Sequence, residues 1–242
     1  LHSLHTGALS TDPLISHRFP IDQSAAAYDL LTRSEPSLGI LFQSPGSADP
    51  QRRTIVLPTD FSAVDAHASR SGDPILGVIG AGNYASRMLL PAFARAGAHF
   101  HTICASSGAG PVHLGRKFGF RQASTDVAAF LSDSSCNTVV IATRHDSHAS
   151  LVQQALASGK HVFVEKPLCL TADELIAIEG AHTGEQLLMV GFNRRFAPLL
   201  LDLQKQLTRL IGPKSFIYTC NAGAIPADHW TQDPALGGGR LL

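Results

Sequence analysis

The sequence lacks an excess of charge of either sign, because 19 lysines and arginines balance 19 aspartates and glutamates. A neutral chain carries no electrostatic footprint for nucleic acid or for an acidic membrane surface. It also lacks an apolar run of the roughly 18 residues that a membrane helix needs. No charged start precedes an apolar block, as it does in a secretory signal. We therefore expect no nucleic acid and no membrane among the partners.

Cysteine is sparse, and the four cysteines are too far apart for a disulfide framework or a zinc ribbon. We expect reduced thiols and a cytoplasmic protein. His145 and His148 have the spacing of half a metal site, but no third ligand lies nearby in the sequence, so we expect no metal. The Gly-x-Ser-x-Gly elbow of serine hydrolases and the Gly-Lys-Ser/Thr loop of nucleotide triphosphatases are absent, which disfavours both enzyme classes.

The sequence does contain a regular alternation that starts at Ile75. Short apolar runs, each followed by a helical pattern, continue to Val190. Such an alternation predicts an α/β fold, and we assign a doubly wound parallel Rossmann sheet to residues 73–192. After Gly191 the alternation stops. Residues 193–242 are predicted to begin an α+β substrate and dimerisation domain, which is the candidate surface for a homodimer.

The segments on either side of the alternation give weaker patterns. Toward the C-terminus we predict a helix at 194–210, a strand at 215–220 and a loop over 228–242. Residues 44–72 are rich in Pro, Gly, Ser and Asp, as linkers are, with one candidate strand at 55–57.

The first 43 residues predict the end of a helix, a loop, a helix at 25–31 and a strand at 38–42. These elements are too small to bury a hydrophobic core by themselves, so the segment needs a partner.

Between the first apolar strand of the alternation and its helix lies the pattern Gly80-x-Gly82-x-x-Ala85. The first glycine makes the tight turn, the second lets the backbone approach a pyrophosphate, and the alanine lets the helix pack closely on the strand. The helix N-terminus then presents free N–H groups to the phosphates. We assign Gly80, Gly82, Asn83, Tyr84 and Ala85 to a dinucleotide site; a sharp turn without a ligand is the alternative.

The end of the second strand bears on the choice of cofactor. The acidic residue that commonly binds the adenosine ribose is absent, and Ser106 and Ser107 stand there instead. These hydroxyls can hydrogen-bond a 2′-phosphate, and Arg116 and Lys117 follow closely in the sequence. We expect NAD or NADP as the cofactor and favour NADP. A solvated helix face is the alternative for the two cations.

Four sequence blocks are specific as a set. They are residues 78–82, residues 139–143 with His148, residues 159–168 and residues 190–196. Together they resemble the glucose–fructose oxidoreductase, inositol dehydrogenase and MocA family. The resemblance implies NAD(P)-dependent hydride transfer to or from a hydroxyl or carbonyl group of a sugar, polyol or nucleotide-sugar.

The resemblance also implies a catalytic role for Lys166, in contact with both the nicotinamide and the reacting hydroxyl. A lysine at the carboxyl end of a parallel strand lies where such sheets bind their ligands, and a positioned lysine can transfer a proton. Glu165 is implied to touch the nicotinamide ribose. Pro167 fixes the local turn, and we predict a cis bond before it. A surface lysine is the alternative for Lys166.

Further contacts follow from the same resemblance. Thr143 is implied to contact the cofactor, although Arg144 stands where the family often has proline. His148 is assigned to the cofactor site, with a purely structural role in the loop as the alternative. Arg195 either holds the substrate or pairs with an acid of the fold. Trp230 belongs to the substrate-side loop.

The family's catalytic histidine follows a glycine run such as 237–239, and it would lie beyond Leu242. The chain also begins with Leu1 rather than Met. We therefore expect a piece of a longer protein. The alternative to an enzyme is a protein that binds a dinucleotide without catalysis, as a redox sensor or a scaffold.

Residues 13–20 and 25–31 resemble the tail of the zinc-type medium-chain alcohol dehydrogenases. The resemblance implies that residues 1–43 are a remnant of such an enzyme, and that the natural protein is a fusion of two oxidoreductases joined by residues 44–72. An ordinary helical extension is the alternative.

Overall fold

The computed structural model of the protein describes residues 6–33, 36–44, 53–58, 73–107, 109–221 and 223–239. It forms two compact units, Leu1–Arg52 and Arg53–Leu242. Within the described segments, no helix is long and apolar enough to cross a membrane. The same segments contain no group of three or more His, Cys, Asp or Glu side chains that could hold a metal ion.

The first unit is a parallel pair of strands with one helix. Strand β1 spans Ile15–Pro20, helix α1 spans Ser24–Thr32, and strand β2 spans Gly39–Gln43 and pairs with β1. The predicted helix at 25–31 and strand at 38–42 are confirmed. The loop predicted before the helix was wrong at β1. Half-buried and exposed residues alternate along this short strand, but the sequence alone does not show that alternation.

The second unit is built on a seven-stranded sheet. Its strands are β3 Thr54–Val56, β4 Ile75–Ile79, β5 His99–Cys104, β6 Gln122–Ser124, β7 Thr138–Ile141, β8 His161–Val164 and β9 Leu188–Val190. Their order is β3-β6-β5-β4-β7-β8-β9. All neighbours are parallel except β3 and β6, so the predicted parallel Rossmann sheet is confirmed.

Helices follow most of these strands. They are α2 Leu90–Arg95, α3 Ala109–Phe118, α4 Val127–Leu131, α5 His148–Ala157, α6 Ala172–Ala181, α7 Pro198–Leu207 and α8 Pro234–Gly237. A π-helical turn, Ala85–Leu89, runs directly into α2. Short 3₁₀ turns lie at His145–Ser147, Asn193–Phe196 and Trp230–Gln232.

The core lies in two layers, one on each face of the sheet. Val139 and Ile141 of β7 pack with Val152 of α5 on one face, whereas Val140 packs with Leu90 of α2 on the other. The alternation follows from the period of two in a strand, and apolar residues on both faces are the signature of a strand covered on both sides. The sheet is therefore doubly wound, as predicted.

The C-terminal part departs from the sequence prediction. No strand forms at 215–220, and this segment has no regular structure. Ile217 is 96% exposed, so its apolar side chain has no packing partner in the described part of the chain. The loop predicted over 228–242 was also wrong in part, because a 3₁₀ turn and α8 form within it. Residues 240–242 lie outside the described residues.

Gly77, in the middle of β4, provides a test of core packing. A Cβ atom there would overlap the ring of Phe130, which fills the space beside the strand. We expect Gly77→Ala to lower the free energy of unfolding by about 1–3 kcal/mol, because overpacking displaces side chains from their rotamers. Urea unfolding measures the change.

Gly180 is the matched control for this prediction. It lies in α6, where an added Cβ would meet nothing within 4 Å. Gly180→Ala should leave the free energy of unfolding unchanged or raise it by about 0.4–1 kcal/mol. Equal stability of the two variants would contradict the packing argument.

Candidate functional site

The turn after β4 requires glycine at its first position. Gly80 has a φ of +111°, and an added Cβ would collide with the carbonyl group of Ala142, at the end of β7. Its N–H donates a 2.8 Å hydrogen bond to the carbonyl oxygen of Cys104. The turn is therefore held close to both neighbouring strands, and no residue with a side chain fits at Gly80.

The second glycine is not required by the protein's own packing. A Cβ at Gly82 would meet nothing within 4 Å, and the residue is exposed. The Ser86 N–H donates to the Gly82 carbonyl oxygen at 3.0 Å, which starts the helix. The amides of the preceding turn thus have no partner within the helix. The free space and these amides together form a cradle of the kind that holds a phosphate group.

The helix that follows the glycine turn begins with a wide, π-helical turn. The Leu90 N–H donates to the carbonyl oxygen of Ala85, five residues earlier. Pro91 explains the geometry, because its ring has no N–H and would clash with the carbonyl four residues before it. Ala85 is 1% exposed, which shows the close packing predicted for it. Such π turns are frequent at functional sites.

A cavity of about 430 Å³ opens at the carboxyl ends of β7 and β8. It is lined by Tyr84, Ala142, Thr143, His145, His148, Glu165, Lys166, Asn193, Arg194, Trp230 and Thr231. The cavity therefore joins four parts of the chain: the glycine-turn helix, the loops after the two central strands, the turn after β9, and the segment before α8.

Glu165 forms the buried acidic side of this cavity. It is 8% exposed, and burial raises its pKa above the ordinary value, with partial opposition from the adjacent Lys166. Burial also raises the pKa of Tyr84, and the charge of Glu165 raises it further. The Tyr84 hydroxyl accepts a 2.8 Å hydrogen bond from Nδ2 of Asn193. This contact connects the glycine-turn helix to the segment after β9.

Lys166 lies beside Glu165 at the cavity, with an exposed side chain. The bond between Lys166 and Pro167 is cis, which confirms that prediction. His148 is fully buried and contacts this turn. Its Nδ1 lies 2.6 Å from the Pro167 carbonyl oxygen, and its Nε2 lies 3.3 Å from the Thr143 carbonyl oxygen. These contacts favour the structural alternative for His148.

The loop after β7 is ordered by its own hydroxyl groups and by a distant tryptophan. The Thr143 and Ser147 hydroxyls lie 2.7 Å apart. Trp230 packs edge-on against the His145 ring with a centroid distance of 4.8 Å, and the Arg144 guanidinium lies 6.0 Å from the Trp230 ring. Trp230 thus forms a wall of the cavity and is held by the loop after β7.

The structure gathers some of the residues chosen from the sequence and leaves others apart. Six of them line the cavity: Tyr84, Thr143, His148, Glu165, Lys166 and Trp230. Asn83, Ser106 and Ser107 are exposed and lie outside its lining. Arg195 is also outside it, with its guanidinium 4.8 Å from the Phe196 ring, whereas Arg194 is part of the lining.

Several lining residues were missed by the sequence analysis as site residues, among them His145, Asn193 and Arg194. Arg194 donates to the Tyr218 hydroxyl at 3.2 Å and contacts Cys220 Sγ at 3.3 Å. A signal for Asn193 and Arg194 was present, because both directly follow the last strand of the sheet, at its carboxyl end. Their side-chain directions depend on the 3₁₀ turn, which the sequence does not indicate.

The glycine turn, the parallel strand order and a ligand-sized cavity at the carboxyl ends define a nucleotide-binding Rossmann domain. Residues 76–192 match the model of the Gfo/Idh/MocA family, described as an oxidoreductase family with an NAD-binding Rossmann fold. This segment is therefore similar to the NAD-binding domain of that oxidoreductase family. The match begins at residue 76, so the resemblance of residues 1–43 to alcohol dehydrogenases stays a prediction.

Curated relatives of this family match the chain over part of their length. An inositol 2-dehydrogenase/D-chiro-inositol 3-dehydrogenase from Shouchella clausii is 36% identical over 104 residues, which cover 41% of this chain and 30% of the relative. The NAD(+)-dependent scyllo-inositol 2-dehydrogenase from Bacillus subtilis is 32% identical over 119 residues, covering 48% and 35%. The chain thus spans about a third of the length of these relatives.

A solved structure confirms the fold. The structure of a 3-ketoreductase from Actinomadura kijaniata, in complex with NADP and TDP-benzene, matches with a TM-score of 0.57. The match covers 69% of this chain and 52% of the reductase, at 22% sequence identity.

Proposed function

We propose that residues 73–192 bind NAD or NADP, and that the protein transfers a hydride between the nicotinamide and a hydroxyl or carbonyl group of a sugar-like substrate. The observation that carries this proposal is the shared cavity. Tyr84, from the first turn of the glycine-loop helix, lines the same space as Glu165 and Lys166. A dinucleotide with its pyrophosphate at the glycine turn can therefore reach Lys166 with its nicotinamide.

The residues around the turn fit this cofactor. Gly82 leaves open space beside free helix amides, where a pyrophosphate is stabilised by hydrogen bonds and by the helix dipole. Thr143 and Glu165 offer hydrogen-bonding groups at the cavity for the nicotinamide ribose. When bound, the nicotinamide supplies the acceptor or donor of the hydride. Lys166 then contacts the oxygen of the reacting group and stabilises negative charge that develops on it.

The substrate class is proposed from the relatives and from the cavity wall. The curated relatives are named for inositols, and a further one from Pseudarthrobacter phenanthrenivorans is a levoglucosan dehydrogenase. Trp230 provides an aromatic face of the kind on which sugar rings pack. Arg194 lines the cavity, which supports it as a substrate contact in addition to Arg195. We propose a sugar, polyol or nucleotide-sugar as the substrate.

A homodimer through residues 193–242 stays a proposal. Exposed apolar side chains on and after α7 support it, among them Leu199 at 85% and Ile211 at 104% exposure. Apolar surface of this kind is typical of a region that another surface covers.

The preference for NADP predicts a measurable difference in affinity. Ser106 and Ser107 are exposed at the end of β5, where no carboxylate repels a 2′-phosphate. We expect NADPH to bind more tightly than NADH, and Ser106→Asp to reverse the order, because the new carboxylate repels the phosphate. Titrations of both reduced cofactors against both proteins decide the matter. Tighter NADH binding by the unchanged protein would refute the preference.

The single tryptophan makes dinucleotide binding directly observable. Trp230 lines the cavity, so its fluorescence should be quenched by energy transfer to a bound reduced nicotinamide. We expect saturable quenching by NADH or NADPH, with competition by the oxidised cofactor. The absence of saturable quenching, together with no binding by calorimetry, would contradict the proposed function.

Catalysis is separated from simple binding by a substrate panel. Inositols, free sugars and nucleotide-sugars are mixed with the protein and the oxidised cofactor, and formation of the reduced cofactor is followed by absorbance. Turnover of one of these classes of substrate supports an oxidoreductase. Binding of the cofactor without turnover on any member would favour the alternative of a redox sensor or scaffold.

A further inference from the structure

Gly191 is a buried residue directly after β9, at the carboxyl end of the sheet. Its N–H donates a 2.8 Å hydrogen bond to the carbonyl oxygen of Val164, the last residue of β8. Val164 is also the strand partner of Val190, and Glu165 follows it in the chain. The strand pairing that builds the sheet therefore places Gly191 next to Glu165.

The space beside Gly191 is filled by the carboxyl group of Glu165. A Cβ atom added to Gly191 would lie 2.7 Å from Oε1, 3.0 Å from Cδ and 3.3 Å from Oε2 of Glu165, which are the three nearest atoms. All three distances are shorter than ordinary van der Waals contact, which begins at 3.4 Å. The Glu165 carboxyl group thus occupies the volume that a side chain at residue 191 would need.

The backbone of Gly191 does not itself require glycine. Its φ lies outside the left-handed region, so alanine can adopt the same conformation without strain. Gly80 differs on both counts, because its φ is positive and its added Cβ would meet the main chain of Ala142. The missing side chain at residue 191 therefore makes room for Glu165 and is not needed for the turn.

The other side of the Glu165 carboxyl group borders the cavity. Glu165 is 8% exposed and lines this space together with Lys166 and Tyr84. The carboxyl group is packed against Gly191, so the cavity is the open direction in which it can move. A change at residue 191 would therefore alter the position of an acidic group at the cavity wall.

We propose that Gly191 is a positioning residue for Glu165, whose carboxyl group it allows to lie back against the end of β9 and to accept a hydrogen bond from the nicotinamide ribose. This inference rests on the proposed function and adds to it a residue that acts through another. A methyl group at residue 191 would push the flexible end of Glu165 into the cavity, because the side chain yields more easily than the main chain. The carboxyl group would then occupy the space of the ribose.

Gly191→Ala is expected to weaken NADPH binding by about 10–100-fold, the loss that removal of one hydrogen bond to a charged group commonly causes. The thermal transition should change little, because the displaced atoms can move into open space. Gly180→Ala is the matched control, since an added Cβ there meets nothing within 4 Å. Calorimetric titration measures the affinities, and an unchanged affinity in Gly191→Ala would overturn the inference.

A double-mutant cycle separates positioning from a general loss of structure. Glu165→Ala removes the group that the new methyl would displace. In that background, Gly191→Ala should cause no further loss of NADPH affinity, because the two residues act through one contact. Equal losses in both backgrounds would show that residue 191 does not act through Glu165.

The position of the Glu165 carboxyl group can also be followed without a cofactor. Its carbon-13 resonance is assigned by its loss in Glu165→Gln and is titrated with pH. Burial holds the pKa of Glu165 above its ordinary value, while the charges of Lys166 and His148 oppose that rise. Displacement into the open cavity reduces the burial, so the midpoint should fall in Gly191→Ala. An identical midpoint in the variant and the unchanged protein would contradict the proposed displacement.

The outcomes separate this inference from the function on which it rests. Failure of the unchanged protein to bind either NADH or NADPH would contradict the proposed function itself, and the carboxyl titration would still decide whether Gly191 sets the position of Glu165. Dinucleotide binding that is the same in Gly191→Ala and in the unchanged protein would contradict the inference alone.

Discussion

Replacing Lys166 by alanine is expected to lower the rate of hydride transfer by about 10²–10³-fold, the range that the loss of one donor to a developing oxyanion commonly causes. The Lys166 side chain lies at the cavity, on the turn that the cis bond to Pro167 shapes. Its ammonium acts on an oxygen whose charge develops only in the transition state. The loss should therefore fall on kcat, with little change in the dinucleotide dissociation constant.

Lys205→Ala is the matched control for this variant. Lys205 is exposed on α7, outside the cavity lining, and its side chain pairs with Asp202. Stopped-flow hydride transfer and tryptophan quenching are measured for both variants. Retained turnover in Lys166→Ala would remove the lysine from the chemistry. A large loss of cofactor affinity with an unchanged rate would instead make it a binding residue.

Replacing Gly82 by valine is expected to weaken dinucleotide binding by at least about 100-fold, equivalent to about 2.7 kcal/mol. The valine methyl groups would occupy the space that the helix amides leave for the pyrophosphate, so the phosphates lose close approach to the backbone. Because an added Cβ at Gly82 meets no protein atom, the urea unfolding midpoint should change little.

Gly80→Val is the informative contrast, because its added side chain collides with Ala142 and its φ is positive. This variant should lose both stability and binding, whereas the Gly82 variant loses binding alone. Tight cofactor binding by Gly82→Val would show that the pyrophosphate does not lie against this turn.

The strands that the sequence predicted best are those with apolar residues on both faces. The run from Val139 to Ile141 is buried throughout, and such a continuous apolar run has few alternatives in an α/β chain. β6, Gln122–Ser124, was missed because it is short and polar, and its pairing depends on β3 and β5 from elsewhere in the chain. The segment 215–220 has strand-forming residues, but a strand also needs a neighbour to accept its hydrogen bonds.

The residues of the candidate site show the same difference between local and long-range signals. The glycine turn and Lys166 were recognised because each depends on residues adjacent in the sequence. The position of His145 depends on a contact with Gly237, 92 residues away, and on Trp230 from the same distant segment. A single sequence contains no signal for that contact. Arg194 lines the cavity whereas Arg195 does not, because the 3₁₀ turn directs the two neighbouring side chains differently, and the sequence does not indicate that turn.

The buried ring of His148 touches the carbonyl groups of both loops that border the reaction space, one at Thr143 and one at Pro167. A ligand that displaces one loop therefore works against the other through a single side chain. If the nicotinamide binds beside Thr143 as proposed, its binding and the orientation of Lys166 would be coupled through the His148 ring. In such an enzyme, the lysine would keep its orientation only while His148 contacts both loops.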